Sequence, residues 1–162
     1  MWARCGALAV ACRHLIRATI GTIMTTLNPY LNFPGTARDA ITFYASVFGG
    51  EPTLSTFGEF GMAQDPAQAD LVMHSQLTSP SGLVLMASDS PDSADLVVGS
   101  NVSVSLSGDD EAELRGYWDA LVDGGQVTVP MEASPWGDVF GMLVDKFGIS
   151  WLVNVAVTPP EG

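Results

Sequence analysis

The order of structural signals between Pro29 and Ser88 returns between Asn101 and Val155, and this repetition limits the folds open to the chain more than any single motif does. Pro29-Tyr30-Leu31-Asn32-Phe33 reads as a short strand that ends at Pro34-Gly35. A helix is predicted next, with Thr36 placed to cap it and Asp39 three residues on. Ala37, Ile41, Tyr44, Ala45 and Phe48 recur at spacings of three and four before Gly49-Gly50 stops the pattern. The second pass uses the same grammar. Residues 101–106 alternate Val102, Val104 and Leu106 with serines, and Asp110 with Glu113 reads as a capping box. Leu114, Tyr117, Trp118, Leu121 and Val122 then form the stripe of a helix that ends at Gly124-Gly125. Three strands complete each half, over residues 53–57, 71–78 and 83–88 in the first and 126–129, 139–144 and 149–155 in the second. The Ser-, Asp- and Pro-bearing stretch 90–99 is the hinge between them.

The predicted fold class is therefore α+β, with two βαβββ modules over about residues 27–89 and 100–156. One helix can cover only one face of its sheet, so each half leaves an apolar face open. Two curved mixed sheets brought together leave a cleft lined by those faces, and clefts of this kind are where small molecules bind.

Composition supports a single domain over residues 24–162, since 47% of the chain is apolar and only 15% is charged. A formal charge of −12 repels phosphate backbones and anionic lipid surfaces, which removes nucleic acid and membranes from the expected partners. Residues 1–23 differ in kind. Arg4, Arg13 and Arg17 hold half of the six basic residues, whereas all 18 acidic residues lie beyond Met24. This extension reads most simply as a start assigned upstream of Met24, with a targeting piece as the competing reading. Arg13, His14 and Arg17 break the apolar stretch that a secretory signal or a membrane span requires. Both cysteines, Cys5 and Cys12, lie there as well, so the domain has no disulfide framework and suits a cytoplasmic location.

Four pieces of the sequence, in order and spacing, resemble the vicinal oxygen chelate superfamily of glyoxalase, bleomycin-resistance and ring-cleaving dioxygenase proteins, and within it the PhnB-like branch. They are Pro29-Tyr30-Leu31-Asn32-Phe33; Ala40-Ile41-Thr42-Phe43-Tyr44 with Val47-Phe48-Gly49-Gly50; Met73-His74-Ser75-Gln76-Leu77; and Trp136-Gly137 through Phe140-Gly141 to Asp145-Lys146-Phe147-Gly148 and Trp151. The resemblance spans about residues 27–155 and implies paired modules, a homodimer and a ligand cleft. It also implies a divalent metal held by His and Glu on the first and last strands of each module. Carried across one position at a time, those places fall on Pro29, at or near Met86, near Asn101 and near Leu152. None offers an imidazole or a carboxylate, so no metal and no other cofactor is expected at the usual site. Members of this branch are often labelled ubiquinone-pathway methyltransferases, yet no strand leads into a GxGxxG turn here.

The chemistry-bearing residues are few. Period-two alternation puts Val72, His74 and Gln76 on one strand face, and His74 is read as a ligand hydrogen bonder or general base, or else as a structural histidine. Trp136 and Phe140 are placed on one strand, as an aromatic wall for a planar ligand or as core. Glu59 sits in a loop from which it reaches over the cleft or into solvent, and Asn32 and Asn154 are polar residues in otherwise apolar strands. The expected function is binding of a small, largely apolar molecule between the modules without the usual metal, with catalysis left open. The alternatives are a metal-dependent lyase, isomerase or dioxygenase built on His74, Glu59 and Asn101, and a non-catalytic dimeric interaction module.

Overall fold

A computed structural model describes residues 25–91 and 96–157. The expected extension over residues 1–23 and part of the hinge lie outside the described residues. The first half runs β1 (Tyr30–Phe33), α1 (Ala37–Phe48), β2 (Thr53–Thr56), β3 (Val72–Thr78) and β4 (Val84–Asp89). The second runs β5 (Val104–Gly108), α2 (Glu111–Val122), β6 (Gln126–Ala133), β7 (Val139–Val144) and β8 (Ser150–Val155). The sheets have the orders β1-β4-β3-β2 and β5-β8-β7-β6, each with its first strand parallel to its last and the other pairs antiparallel. The two βαβββ modules and the α+β class expected from the repeat are what the chain forms.

Both helices lie between the two sheets. Helix α1 buries Ala37, Ala40, Ile41, Tyr44 and Phe48, the expected stripe with Ala40 in place of Ala45, against β3 and β4. Helix α2 buries Leu114, Trp118 and Leu121 against β5, β7 and β8, and the helices also touch one another. The modules share one core: Phe48 of α1 meets Tyr117 of α2 at 5.0 Å and Trp151 of β8 at 5.6 Å between ring centroids. Burial of such rings is the main source of stability for a chain of this size.

Three expected boundaries move. Strand β5 begins at Val104, because its pairing with β8 starts at Val104 opposite Trp151 and nothing pairs with residues 101–103. Val102, placed on the strand by its alternation, stands 77% exposed. Strand β6 continues past Val129 to Ala133, following β7 through two register shifts. The first helix is not capped by Thr36, whose side chain makes no capping bond; Asp89 at the end of β4 accepts from the Ala37 amide at 2.8 Å. Asp110 does cap α2 through the Glu113 amide, but the Glu113 carboxylate turns to the Tyr117 hydroxyl instead of closing a box.

Close helix approach depends on Gly141. The Trp118 ring lies where a side chain on residue 141 would stand, and an added Cβ would meet that ring at 2.8 Å and the Met131 Cα at 2.9 Å. Gly141→Ala is therefore expected to cost about 1–3 kcal/mol through overpacking, read by urea denaturation.

Candidate functional site

Strand register sets the side chains on the face of the first sheet turned away from the helices. One row runs Tyr30, Met86, Gln76, Thr53 across β1, β4, β3 and β2, and next to it Asn32 stands opposite Ser88 and His74 opposite Ser55. Ser75, Leu77, Leu85 and Ala87 alternate with them and are buried toward the helices. His74 and Gln76 thus share the uncovered face, as their spacing predicts. Val72 does not join them. The register shifts at Ser55/Thr56, bringing Thr56 opposite Val72, and this bulge turns Val72 into the core.

Polar groups on this face are linked to one another. The Tyr30 hydroxyl lies 3.1 Å from His74 Nδ1 with the two rings stacked at 5.7 Å. Ser88 donates to Asn32 Oδ1 at 3.1 Å. Tyr30 is the residue that motif reading passed over. Its signal was parity: two residues before Asn32 and out of step with buried Phe33, it must face the same way as Asn32.

The corresponding face of the second sheet is more apolar. Glu132, Phe140, Asn154 and Ser107 form one row, and Val129, Met142, Leu152 and Ser105 the next. Asn154 donates from Nδ2 to Asp138 at 2.9 Å, so its polarity is spent on the β6–β7 turn. Trp136 is not on a strand with Phe140. It occupies that turn, which closes through the Ser134 amide to Asp138 oxygen and the Gly137 amide to Ser134 oxygen. From there its ring, 62% exposed, stands edge-on to Phe140 at 5.5 Å and walls a cavity of about 260 Å³ with Val129, Pro130 and Glu132. The turn signal was present in Ser134-Pro135-Trp136-Gly137, where Pro and Gly flank the tryptophan.

Glu59 turns back on its own loop, accepting from the Thr56 amide at 2.8 Å, and does not reach the sheet face. The register also corrects two of the four ligand places. Pro29 precedes β1 and Asn101 precedes β5, and the paired positions are Tyr30 with Met86 and Ser105 with Leu152. A phenol, a thioether, a hydroxyl and an alkyl group do not make a site for the divalent metal that the fold family implies. Among the described residues, no three His, Cys, Asp or Glu side chains converge as a ligand set.

His74 and Gln76 lie on one uncovered face, and Phe140 and Asn154 on the other. Since both sheets turn their inner faces to the shared helices, these outer faces look away from each other within a chain. Where the modules meet, a cavity of about 520 Å³ opens between Leu27, Leu83, Leu85, Val104 and Trp151, a size suited to a small molecule. Behind it, Asp145 accepts four bonds: Tyr44 hydroxyl at 2.7 Å, Trp151 Nε1 at 2.8 Å, and the Phe147 and Ile149 amides at 2.9 and 3.0 Å. Burial first, and then the Asp145 carboxylate, hold the Tyr44 phenol far above the ordinary tyrosine range. This cluster ties the modules together.

The family model described as 3-demethylubiquinone-9 3-methyltransferase matches residues 25–154. Protein YjdN of Escherichia coli (strain K12) is 29% identical over 144 residues, covering 83% of this chain and 97% of that protein. The crystal structure of protein PA1353 from Pseudomonas aeruginosa is similar at 37% identity and a TM-score of 0.66, over 82% of this chain and 98% of that one. A putative 3-demethylubiquinone-9 3-methyltransferase, PhnB protein, from Bacillus cereus is similar at 26% identity and a TM-score of 0.67, over 82% and 100%. Glyoxalase-related proteins at 18% and 12% identity share the fold. No helix among the described residues is long and apolar enough to cross a membrane.

Proposed function

Because the chain belongs to the family described as 3-demethylubiquinone-9 3-methyltransferase, the PhnB-like branch of the glyoxalase, bleomycin-resistance and dioxygenase superfamily, we propose that it binds a small, largely apolar molecule against its uncovered sheet faces, without the superfamily's usual metal. The observation that carries this reading is the first sheet's outer face, where Tyr30, Asn32, His74, Gln76 and Met86 stand together on the side the helices leave bare. Trp136, Phe140 and Leu152 supply the apolar counterpart on the second sheet.

The two faces point apart within one chain, so a cleft lined by both needs a second copy. A homodimer in which the first module of one protomer faces the second module of its partner brings the His74 face opposite the Phe140 face.

Methyl transfer, as the family description has it, calls for a cradle for an adenosyl cofactor. The natural place is a glycine-rich strand-to-helix turn, where backbone amides at the helix start receive the cofactor's polar groups. Here Asp89 already fills the start of α1 and Asp110 that of α2. These residues do not fit such a cofactor. The proposed action is binding, in the cytoplasm, with bound-ligand chemistry left to the groups on the His74 face.

Native mass spectrometry on the full chain, purified without a metal-affinity tag, tests this reading. The expected spectrum shows a dimer carrying a retained organic molecule and no stoichiometric metal. A divalent ion bound one per protomer, or a monomer that holds no small molecule after incubation with a cell extract, overturns it.

A further inference from the structure

Resting on the reading of this face as a ligand site, we infer that Tyr30 is a positioning residue that fixes His74 as a hydrogen-bond donor, so that the site takes a neutral molecule through a carbonyl oxygen. Tyr30 projects from β1 and His74 from β3, with β4 between them, and their rings stack across that strand with Oη 3.1 Å from Nδ1. In that contact one group must donate. A phenol is the better donor, and the unprotonated imidazole nitrogen is a better acceptor than a phenol oxygen whose lone pair is delocalised into its ring. The proton therefore stays on Tyr30, and neutral His74 carries its own proton on Nε2. Among the described residues, Nε2 has no hydrogen-bond partner.

The neighbours set the same polarity. Ser88 donates to Asn32 Oδ1, so the bond to Ser88 uses the Asn32 carbonyl oxygen and not its amide N–H groups. Neither row of this face contains an Asp or Glu, and the nearby Glu59 carboxylate is held by its own loop. Gln76 in the Met86 row spends an Nε2 hydrogen on Thr78, and the N–H groups of His74 Nε2 and Asn32 are the donors this face offers beside Met86 and the Tyr30 ring. An acceptor oxygen on an apolar or planar body matches it. A net charge of −12 disfavours an anion, which leaves a neutral carbonyl as the fitting chemistry. It also makes His74 an electrophilic contact at Nε2 and not a general base.

The test is nitrogen-15 NMR on the full chain, labelled at histidine and observed at about pH 8.5, two units above ordinary histidine titration. His74→Gln distinguishes the His74 signals from those of His14. The expected wild-type spectrum has His74 Nδ1 in the unprotonated position and Nε2 in the protonated one, without averaging. In Tyr30→Phe both nitrogens move toward the averaged positions of a free imidazole. A proton on Nδ1 in the wild type, or unchanged shifts in Tyr30→Phe, overturns the assignment. A second arm adds acetophenone or ethylbenzene, two bodies of like shape that differ in the carbonyl. Acetophenone is expected to displace the Nε2 signal further, and equal displacement overturns the carbonyl class. A fixed tautomer with no response to either probe leaves Tyr30 in its role and removes the ligand reading of this face.

Discussion

Asp145→Ala is expected to lower folding stability by about 3–5 kcal/mol, the largest loss from any single polar substitution in this chain. The carboxylate is 4% exposed and receives two buried bonds, from Tyr44 and Trp151, and two part-buried ones from the turn amides of Phe147 and Ile149. Removing it strands the Tyr44 hydroxyl, the Trp151 indole N–H and two amides of the β7–β8 turn, and each buried unsatisfied donor costs about 1–3 kcal/mol before relaxation. Tyr44→Phe deletes one donor and leaves the carboxylate three, so its loss is expected near 1–2 kcal/mol. Urea denaturation of both variants against the native chain gives the comparison, and a loss below about 1 kcal/mol for Asp145→Ala would show that the four donors find other partners. The pair also sets the alkaline limit. Unfolded tyrosine ionises near pH 10, whereas the folded Tyr44 phenol holds its proton well above that. The stability linked to Tyr44 is thus complete below about pH 10 and is lost as pH rises further, because only the unfolded chain then releases the proton. Tyr44→Phe is expected to flatten that limb, leaving a small slope from Tyr117, whose phenol burial and Glu113 also raise.

Local signals carried most of the fold and little of the site's geometry, for a physical reason visible in particular residues. Helix stripes and Gly-Gly stops are properties of neighbours in sequence, so α1 and α2 were legible to within a residue or two. Period-two alternation correctly put His74 with Gln76. It misplaced Val102, because a strand needs a partner and β8 offers none before Trp151. It likewise misplaced Val72, where a bulge on β3 shifts the face. Trp136 and Phe140 are four residues apart, a spacing that reads as one strand unless the intervening Gly137 is taken as a turn. The Tyr30–His74 contact joins residues 44 apart across an intervening strand, and the Tyr44–Asp145 bond joins residues 101 apart across the modules. Neither pairing is encoded by any short motif. Both follow only once the register of the parallel β1–β4 pair and the shared helical layer are in place.

The first helix makes the same point in a form that a pair of substitutions decides. Thr36 stands at the N-cap with the residue type that helix starts prefer, and a working cap there would cost about 0.5–2 kcal/mol on replacement by alanine. Its hydroxyl makes no such bond. The carboxylate of Asp89, 4% exposed, instead reaches from the end of β4 with one oxygen to the Ala37 amide and the other to the Val72 amide, both at 2.8 Å. One side chain thereby fixes the start of α1, the start of β3 and the end of β4, and its negative charge sits where the helix dipole favours it. Asp89→Ala is expected to cost about 2–4 kcal/mol, since it leaves two buried amides without partners. Thr36→Ala is expected to stay within about 0.5 kcal/mol of the native chain, as for an exposed residue with no partner. Both are read from urea denaturation midpoints at constant slope. A larger loss for Thr36→Ala than for Asp89→Ala would return the cap to the residue beside the helix and remove the long-range carboxylate from the folding of the first module.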